Sequence, residues 1–227
     1  MDILKTVLNE VRKELTDKDK VRQNAQDGMR KATSLSKQAI LLIHQKRQKE
    51  AERLIEKAKE ILANLKKNST ANPDIIYSGM YSAALQEYSE ANIFLKLVQE
   101  RRFVTPREIE VPSIDYVLGL ADVIGECRRF ALDALRQGDI EKAENCLQTM
   151  DQIYMELLAL DESYMLVPGL RRKSDVARKV IEITRGDVTQ EIRRDALEKH
   201  LREFEKSHKR TRGQGKKHLD KTNKAEE

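Results

Sequence analysis

Four acidic residues in two short runs are the part of this sequence best suited to chemistry. Glu87 and Glu90 are three residues apart, and Asp122 and Glu126 are four residues apart. Because these spacings place side chains on one face of a helix, each run presents a neighbouring pair of carboxylates. Small or apolar residues surround both pairs, and a carboxylate is costly to bury without compensation. The pattern therefore predicts a site that needs a cation, a basic partner or protonation.

A divalent cation is the compensation that would turn these acids into a reactive centre. If the two helices pack antiparallel, all four carboxylates converge on a small volume. An oxygen-rich site without His or Cys favours Mg²⁺ or Mn²⁺ over zinc or copper. Such ions bind phosphate oxygens and activate water. The other interpretation is that each acid forms an ion pair with one of the many Arg and Lys side chains.

The apolar residues recur at a helical period along the chain, so the predicted fold is all-α. Of the 227 residues, 39% are hydrophobic, 36% are charged and 4% are aromatic, which is typical of long amphipathic helices. No fixed-period repeat is apparent, and we expect a single-domain bundle of about seven helices over residues 1–206. No apolar run approaches the roughly 18 residues of a membrane span. The first residues follow an amphipathic pattern rather than that of a secretory signal.

Proline, glycine and capping residues indicate where the helices end. A loop is predicted at Asn68–Pro73, and a second connection ends at Ser113, the expected N-cap of the helix that carries the second acid pair. Gly138-Asp139 and Gly186-Asp187 each resemble a helix C-terminus followed by a capping aspartate. Pro168-Gly169 predicts another break.

Two glycines lie within the predicted helix of the second acid pair, where each costs about 1 kcal/mol relative to alanine. We expect Gly119 and Gly125 to be there because a neighbouring helix packs closely against them. Such close packing would also bring Asp122 and Glu126 nearer to the first pair.

Positive charge is concentrated at the C-terminal end of the chain. The segment Lys206–Glu227 contains eight Lys or Arg and three acids, so it accounts for the whole net charge of +5. Because this segment has almost no apolar residues and repels itself, residues 207–227 are predicted to form a disordered tail. The tail either aids solubility or acts as a non-specific arm that binds phosphates.

The two cysteines, Cys127 and Cys146, lie within helical patterns and lack the spacing of a zinc site. They are expected to be small core residues with free thiols in a reducing compartment. We therefore expect the protein to be cytoplasmic.

The residues around both acid pairs resemble the translin superfamily and, within it, the branch of translin-associated factor X. The resemblance rests on the run Leu85–Ala91 and on the more specific run Asp115–Glu126, with further similarity at Ser36–Ile40 and at Ile43-His44. It extends from about residue 21 to residue 206. It implies an all-α, seven-helix protomer that assembles into a hollow oligomer, commonly an octamer, enclosing RNA.

For the factor X branch, the resemblance implies a metal-dependent endoribonuclease centre, whereas translin subunits provide RNA binding. Glu87 and Glu90 match the acids of the first motif, and Asp122 and then Glu126 match those of the second. The resulting hypothesis is that Mg²⁺ or Mn²⁺ held by the first three acids activates water against an RNA phosphodiester, while Glu126 completes the coordination or orients the water. The implied partners are RNA, or single-stranded DNA, and either further copies of this chain or a translin-like subunit.

Four residues of the long N-terminal helix are candidates for RNA binding: Arg22, Arg30, Lys37 and His44. The first three are spaced near whole turns and would form one basic stripe. An ordinary solvent-exposed helix face shows the same pattern. His44 follows an apolar run and fits a hydrogen-bonded structural histidine as well. Because the chain has few aromatic residues, backbone contacts with little sequence preference are expected rather than base stacking.

Two other functions fit part of the same pattern. An all-α nucleoside triphosphate pyrophosphohydrolase also sets paired acids on adjacent helices around Mg²⁺, although the four-residue spacing of the second pair argues against it. A non-catalytic oligomer that binds RNA or single-stranded DNA would retain the acids without cleaving its ligand.

Overall fold

The computed structural model describes residues 2–68, 73, 79–160 and 165–223, with side chains described from residue 3 to residue 208 of these ranges. The described residues contain no β-strand, and the predicted all-α fold is confirmed. Their six helices are α1 (Asp2–His44), α2 (Gln48–Asn68), α3 (Gly79–Glu100), α4 (Ser113–Arg136), α5 (Ile140–Leu158) and α6 (Leu170–Asn223). Most of the predicted loop at Asn68–Pro73 lies outside the described residues.

A single apolar core lies between the helices because each helix contributes one buried stripe at the helical period. Its largest fully enclosed side chains, each at most 1% exposed, include residues of α1, α3, α4, α5 and α6: Met29, Ile43, Phe94, Ile124, Met150, Leu157 and Leu170. Burying a side chain of this kind contributes about 1.5–3 kcal/mol. This packing fixes the positions of the helices that carry the acids.

Helices α3 and α4 run parallel to each other. Ser82 near the start of α3 donates a hydrogen bond to Asp115 near the start of α4. Farther along both helices, the rings of Phe94 and Phe130 have centroids 6.0 Å apart. The two acid pairs therefore meet in a parallel arrangement and not in the antiparallel one considered from the sequence.

The connection between α3 and α4 makes the parallel arrangement possible. Residues 101–112 return along the outside of the bundle, with Val104, Ile109 and Val111 buried. The hydroxyl of Tyr116 donates to the backbone oxygen of Val104 at 2.6 Å. The segment contains a turn in which the backbone N–H of Val111 donates to the backbone oxygen of Pro106 at 3.0 Å.

Gly119 is the point at which α3 and α4 come closest. A Cβ atom built on Gly119 would lie 2.6 Å from the backbone oxygen of Gln86 and 2.7 Å from the Cβ of Ser89. The expected close packing is therefore confirmed at this glycine. It is wrong at Gly125, which is exposed and lines the open space between α4 and α6, so that no neighbouring group lies within 4 Å of the same position.

Two of the predicted helix boundaries are confirmed. Gly138 has a φ of 75°, a conformation that glycine adopts without strain. The carboxylate of Asp139 accepts a hydrogen bond from the backbone N–H of Lys142 at 3.1 Å and caps α5. Gly169, with a φ of 91°, directly precedes α6.

Two other predicted boundaries are wrong. Ser113 is the first helical residue of α4 and does not cap it, because Pro112 occupies the N-cap position. Helix α6 continues through Gly186-Asp187 without a break. Thr184 and Val188 are buried on either side of this glycine, and their packing outweighs a glycine cost of about 1 kcal/mol. One long helix consequently replaces the last two of the seven predicted helices.

The two longest helices extend beyond the bundle at opposite ends. At the start of α1, Ile3 and Leu4 are 82% and 66% exposed, and near the end of α6 Leu201 and Phe204 are 55% and 69% exposed. The backbone of α6 continues as helix to Asn223, whereas the sequence predicts disorder from residue 207. Lysine, arginine and glutamine have favourable helix propensities, which allow the helix to extend into the basic segment.

Among the described residues, Cys127 is buried, Cys146 is half-buried, and both are free thiols, as predicted. None of the helices in the described part of the chain combines the length and the hydrophobicity that spanning a bilayer requires.

Candidate acidic site

The four predicted acids come together where α3 and α4 lie side by side. Each pair occupies one face of its helix, and the close contact at Gly119 places the faces at the same level of the bundle. Glu90 is buried, with 8% of its surface exposed. Glu87, Asp122 and Glu126 are half-buried around it. The structure therefore brings together all four acids that the sequence singled out.

Burial and neighbouring charges raise the pKa of Glu90 to about 9. Loss of hydration is the largest cause, followed by the negative charges of Asp122, Glu87 and Glu126. The ammonium group of Lys173 acts in the opposite direction. Glu90 is consequently protonated at neutral pH unless a further cation compensates the cluster.

We expect Glu90→Gln to stabilise the protein at pH 8 in EDTA. The folded-state pKa of Glu90 lies above the ordinary value of 4.5, so stability falls as the pH rises between these two values. Glutamine does not ionise and removes this loss. One pKa unit corresponds to about 1.4 kcal/mol, so we expect a gain of at least about 1 kcal/mol. Urea unfolding at pH 5 and pH 8 measures the effect.

Glu60→Gln is the control for this prediction, because Glu60 is an exposed acid of α2. Its unfolding free energy should follow the wild-type pH dependence. A gain in Glu90→Gln that is the same at pH 5 and pH 8 would contradict the role given to the ionisation of Glu90.

Three of the acids each have a basic partner from another helix. Lys37 of α1 lies 3.1 Å from Glu87. His44 at the end of α1 places its Nε2 atom 2.6 Å from Glu126. The second interpretation of the acids, an ion pair with Lys or Arg, is therefore realised for Glu87, whereas Glu126 contacts a histidine.

Lys173 near the start of α6 is the third basic partner. Its ammonium group donates hydrogen bonds to the carboxylate of Asp122 and, at 3.2 Å, to the backbone oxygen of Leu118. The described residues place no basic group in an ion pair with Glu90. Of the four acids, the most deeply buried one is thus the one without an ion-pair partner in the described part of the chain.

His44 supports the acidic site from inside the protein. Its side chain is 4% exposed, and its ring lies 5.1 Å from the ring of Phe94 and 5.8 Å from that of Phe130, between centroids. Its Nδ1 atom has no hydrogen-bond partner among the described residues. This geometry agrees with the alternative of a hydrogen-bonded structural histidine, and an RNA contact of His44 stays a prediction.

The other three candidate RNA-binding residues are exposed on α1, but only two of them line a cavity. Arg22 and Arg30 form local ion pairs with Asp19, at 2.7 Å, and Asp27, at 3.3 Å. Arg30 and Lys37 line a cavity of about 590 Å³ between α1 and α3. Arg22 lies two turns before Arg30 and does not line this cavity. Of the basic stripe, only Arg30 and Lys37 therefore lie near the acidic site.

A second cavity, of about 530 Å³, opens on the other side of the acids, between α4 and α6. Asp122, Arg172 and Lys173 line it together with apolar residues of both helices. Neither of these two basic residues was predicted from the sequence to belong to the site. The available signal was the run Arg171-Arg172-Lys173 directly after the predicted break at Pro168-Gly169.

The types of donor at this site suit a hard divalent cation, because carboxylate oxygens from three side chains surround the carboxyl group of a fourth, buried acid. As the side chains are placed, no three acidic, histidine or cysteine residues of the described ranges are grouped to hold a metal ion. Lys37 and His44 hold Glu87 and Glu126 toward α1, whereas Lys173 holds Asp122 toward α6.

Comparison with known proteins identifies the family. Residues 8–182 match the model of the Translin family, and this chain belongs to that family. The uncharacterized protein MJ0175 of Methanocaldococcus jannaschii is 32% identical over 191 residues, which are 83% of this chain and 84% of that protein.

Solved structures share the fold. The crystal structure of AfC3PO superimposes with a TM-score of 0.71 and 34% identity, covering 81% of this chain and 96% of the other. The same score and identity are obtained for the complex of AfC3PO with duplex RNA, at 81% and 95% coverage. Apo-NeC3PO has a TM-score of 0.71 at 24% identity and bears on the fold alone.

Proposed function

We propose that this protein is a metal-dependent endoribonuclease of the translin-associated factor X type, which hydrolyses RNA phosphodiesters. The observation that carries the proposal is the buried Glu90 surrounded by three further carboxylates at the junction of α3 and α4. Burial and the charges of the other three acids raise the pKa of Glu90 to about 9. A strongly perturbed carboxyl group within a cluster of acids is typical of a functional site, and a bound cation would relieve the repulsion.

The four acids would divide the work according to their positions. Glu87, Glu90 and Asp122 would hold Mg²⁺ or Mn²⁺, which supplies a water of lowered pKa and offsets charge on the phosphodiester. Glu126, fixed by its hydrogen bond to His44, would complete the coordination or orient the attacking water. His44 would act as a positioning residue, because an imidazole that accepts or donates one bond fixes the rotamer of its carboxylate partner.

RNA is the proposed substrate because cations stand on both sides of the acids. Arg30 and Lys37 line the cavity on one side, and Arg172 and Lys173 line that on the other. A nucleic-acid strand crossing the acids would meet a basic group before and after the scissile phosphate. The structure of the similar AfC3PO with duplex RNA also supports RNA as the ligand.

We further propose that the protein works as an oligomer: a homo-oligomer such as an octamer, or a hetero-oligomer with a translin-like subunit. The support is the apolar stripe that α1 exposes before the bundle begins, which includes Leu4, Leu8 and Leu15 at 66%, 54% and 61% exposure. Exposed stripes of this kind mark association surfaces. Its proposed location is the cytoplasm, which agrees with free thiols.

A second candidate function is a non-catalytic shell that binds RNA or single-stranded DNA. The contacts of Lys37, His44 and Lys173 favour it, because they give three of the four acids a partner without a metal. Such a protein would bind nucleic acid equally well with and without divalent cations.

Removal of divalent cations is expected to abolish cleavage while RNA binding persists. End-labelled single-stranded and duplex RNA should be cut by the purified protein in Mg²⁺ or Mn²⁺ and remain intact in EDTA, because water and phosphate lose their activating charge. Gel electrophoresis measures cleavage, and fluorescence anisotropy measures binding. RNA that stays intact in both metals while binding is unchanged would select the non-catalytic shell.

A further inference from the structure

Lys173 lies between the acidic site and the cavity formed by α4 and α6. Its ammonium group is bonded to Asp122 and to the backbone oxygen of Leu118. The side chain is 27% exposed, and it lines the cavity together with Arg172. The same ammonium group is therefore directed at a carboxylate and is accessible from a space that also contains a second cation.

We propose that Lys173 couples metal binding to RNA binding by exchanging Asp122 for an RNA phosphate. This inference rests on the proposed function, and it assigns a role to a residue outside the four acids. While Lys173 is bonded to Asp122, it competes with a divalent cation for that carboxylate. A phosphate in the cavity offers the ammonium group an alternative anion of similar strength. RNA binding then releases Asp122 for the metal.

The other two basic partners are less suited to this exchange. The side chain of Lys37 is 62% exposed, so its ion pair with Glu87 is largely screened by water and competes weakly. The side chain of His44 is 4% exposed and is therefore largely inaccessible to a phosphate in solvent. Lys173 alone of the three combines a half-buried ion pair with access to a cavity that also contains another basic residue.

Coupling of this kind is reciprocal. If RNA raises the affinity for the metal by a given factor, the metal raises the affinity for RNA by the same factor. Both quantities can be measured without cleavage, which separates the coupling from catalysis.

The experiment measures Mn²⁺ binding to the full-length protein by calorimetry, with and without a short phosphorothioate RNA that resists hydrolysis. For wild type we expect RNA to tighten Mn²⁺ binding about 10-fold, within the usual range of coupling between sites. Lys173→Met should bind Mn²⁺ more tightly than wild type without RNA, because the competitor is gone. Its gain on adding RNA should shrink to less than about twofold.

Two further variants control the experiment. Lys173→Arg retains the positive charge and should retain most of the coupling. Lys179→Met removes an exposed lysine of the same helix that does not line the cavity, and it should behave as wild type. Circular dichroism verifies that each variant is folded, and the wild-type gain in RNA affinity on adding Mn²⁺ provides an independent check of the coupling factor.

The outcomes separate this inference from the proposed function. Unchanged Mn²⁺ affinity and an unchanged RNA-dependent gain in Lys173→Met overturn the role of Lys173 while leaving the metal site intact. Absence of Mn²⁺ binding to wild type, with and without RNA, overturns the metal-dependent function itself and the coupling with it.

Discussion

Glu87→Gln is expected to reduce metal-dependent RNA cleavage by about 10³-fold. Metal-held charge contributes several kcal/mol of stabilisation at the reacting phosphate, and each 1.36 kcal/mol corresponds to a factor of ten in rate. Glutamine keeps the shape of the side chain but removes the negative charge that faces Glu90. The rate constant for cleavage of labelled RNA at saturating protein and Mg²⁺ measures the loss. Asp122→Asn should have an effect of the same order.

RNA binding separates a chemical defect from a folding defect in these variants. Glu87→Gln frees Lys37 from its ion pair, so anisotropy should show unchanged or slightly tighter RNA binding. Glu60→Gln, which neutralises an exposed acid of α2, should cleave at the wild-type rate. Metal-dependent cleavage that survives in both Glu87→Gln and Asp122→Asn would remove these acids from the active centre.

Gly119→Ala should lower the free energy of unfolding by about 2 kcal/mol. The added methyl group would lie 2.6 Å from the backbone oxygen of Gln86 and 2.7 Å from the Cβ of Ser89, both of which belong to a packed helix. Overpacking of this kind costs up to about 3 kcal/mol, and better helix propensity returns roughly 1 kcal/mol. Denaturant titration in EDTA measures the change.

The same substitution should also weaken the acidic site, because relief of the clash moves α3 and α4 apart. Gly125→Ala is the matched control on the same helix: no atom lies within 4 Å of its added carbon, so a gain of about 0.5–1 kcal/mol is expected from helix propensity alone. Equal effects at the two glycines would show that the contact at Gly119 is not a constraint on the packing of the helices.

The basic partners of three acids indicate how the site is stabilised when no metal is bound. Four carboxylates in a partly buried space repel one another, and the fold offsets this repulsion with groups from α1 and α6. A catalytic centre of this kind must exchange internal cations for an external one. The non-catalytic shell needs no such exchange, and the response of Mn²⁺ affinity to Lys173→Met distinguishes the two.

Local features of this protein follow from the sequence alone. The spacing of the acids places each pair on one helix face, and the capping of α5 by Asp139 depends only on residues three positions apart. The apolar period is sufficient to predict an all-α bundle. Helix ends are harder to predict from the sequence. At Gly186 the free-energy cost of a glycine in a helix is small compared with the gain from packing the buried residues on either side of it.

The composition of the acidic site was decided by tertiary structure. His44 is 82 residues from Glu126, and Lys173 is 51 residues from Asp122. Helical periodicity places residues on a face but does not specify which other helix covers that face or in which direction it runs. The parallel packing of α3 and α4, made possible by the returning connection of residues 101–112 and the close contact at Gly119, is what joins two acid pairs into one cluster.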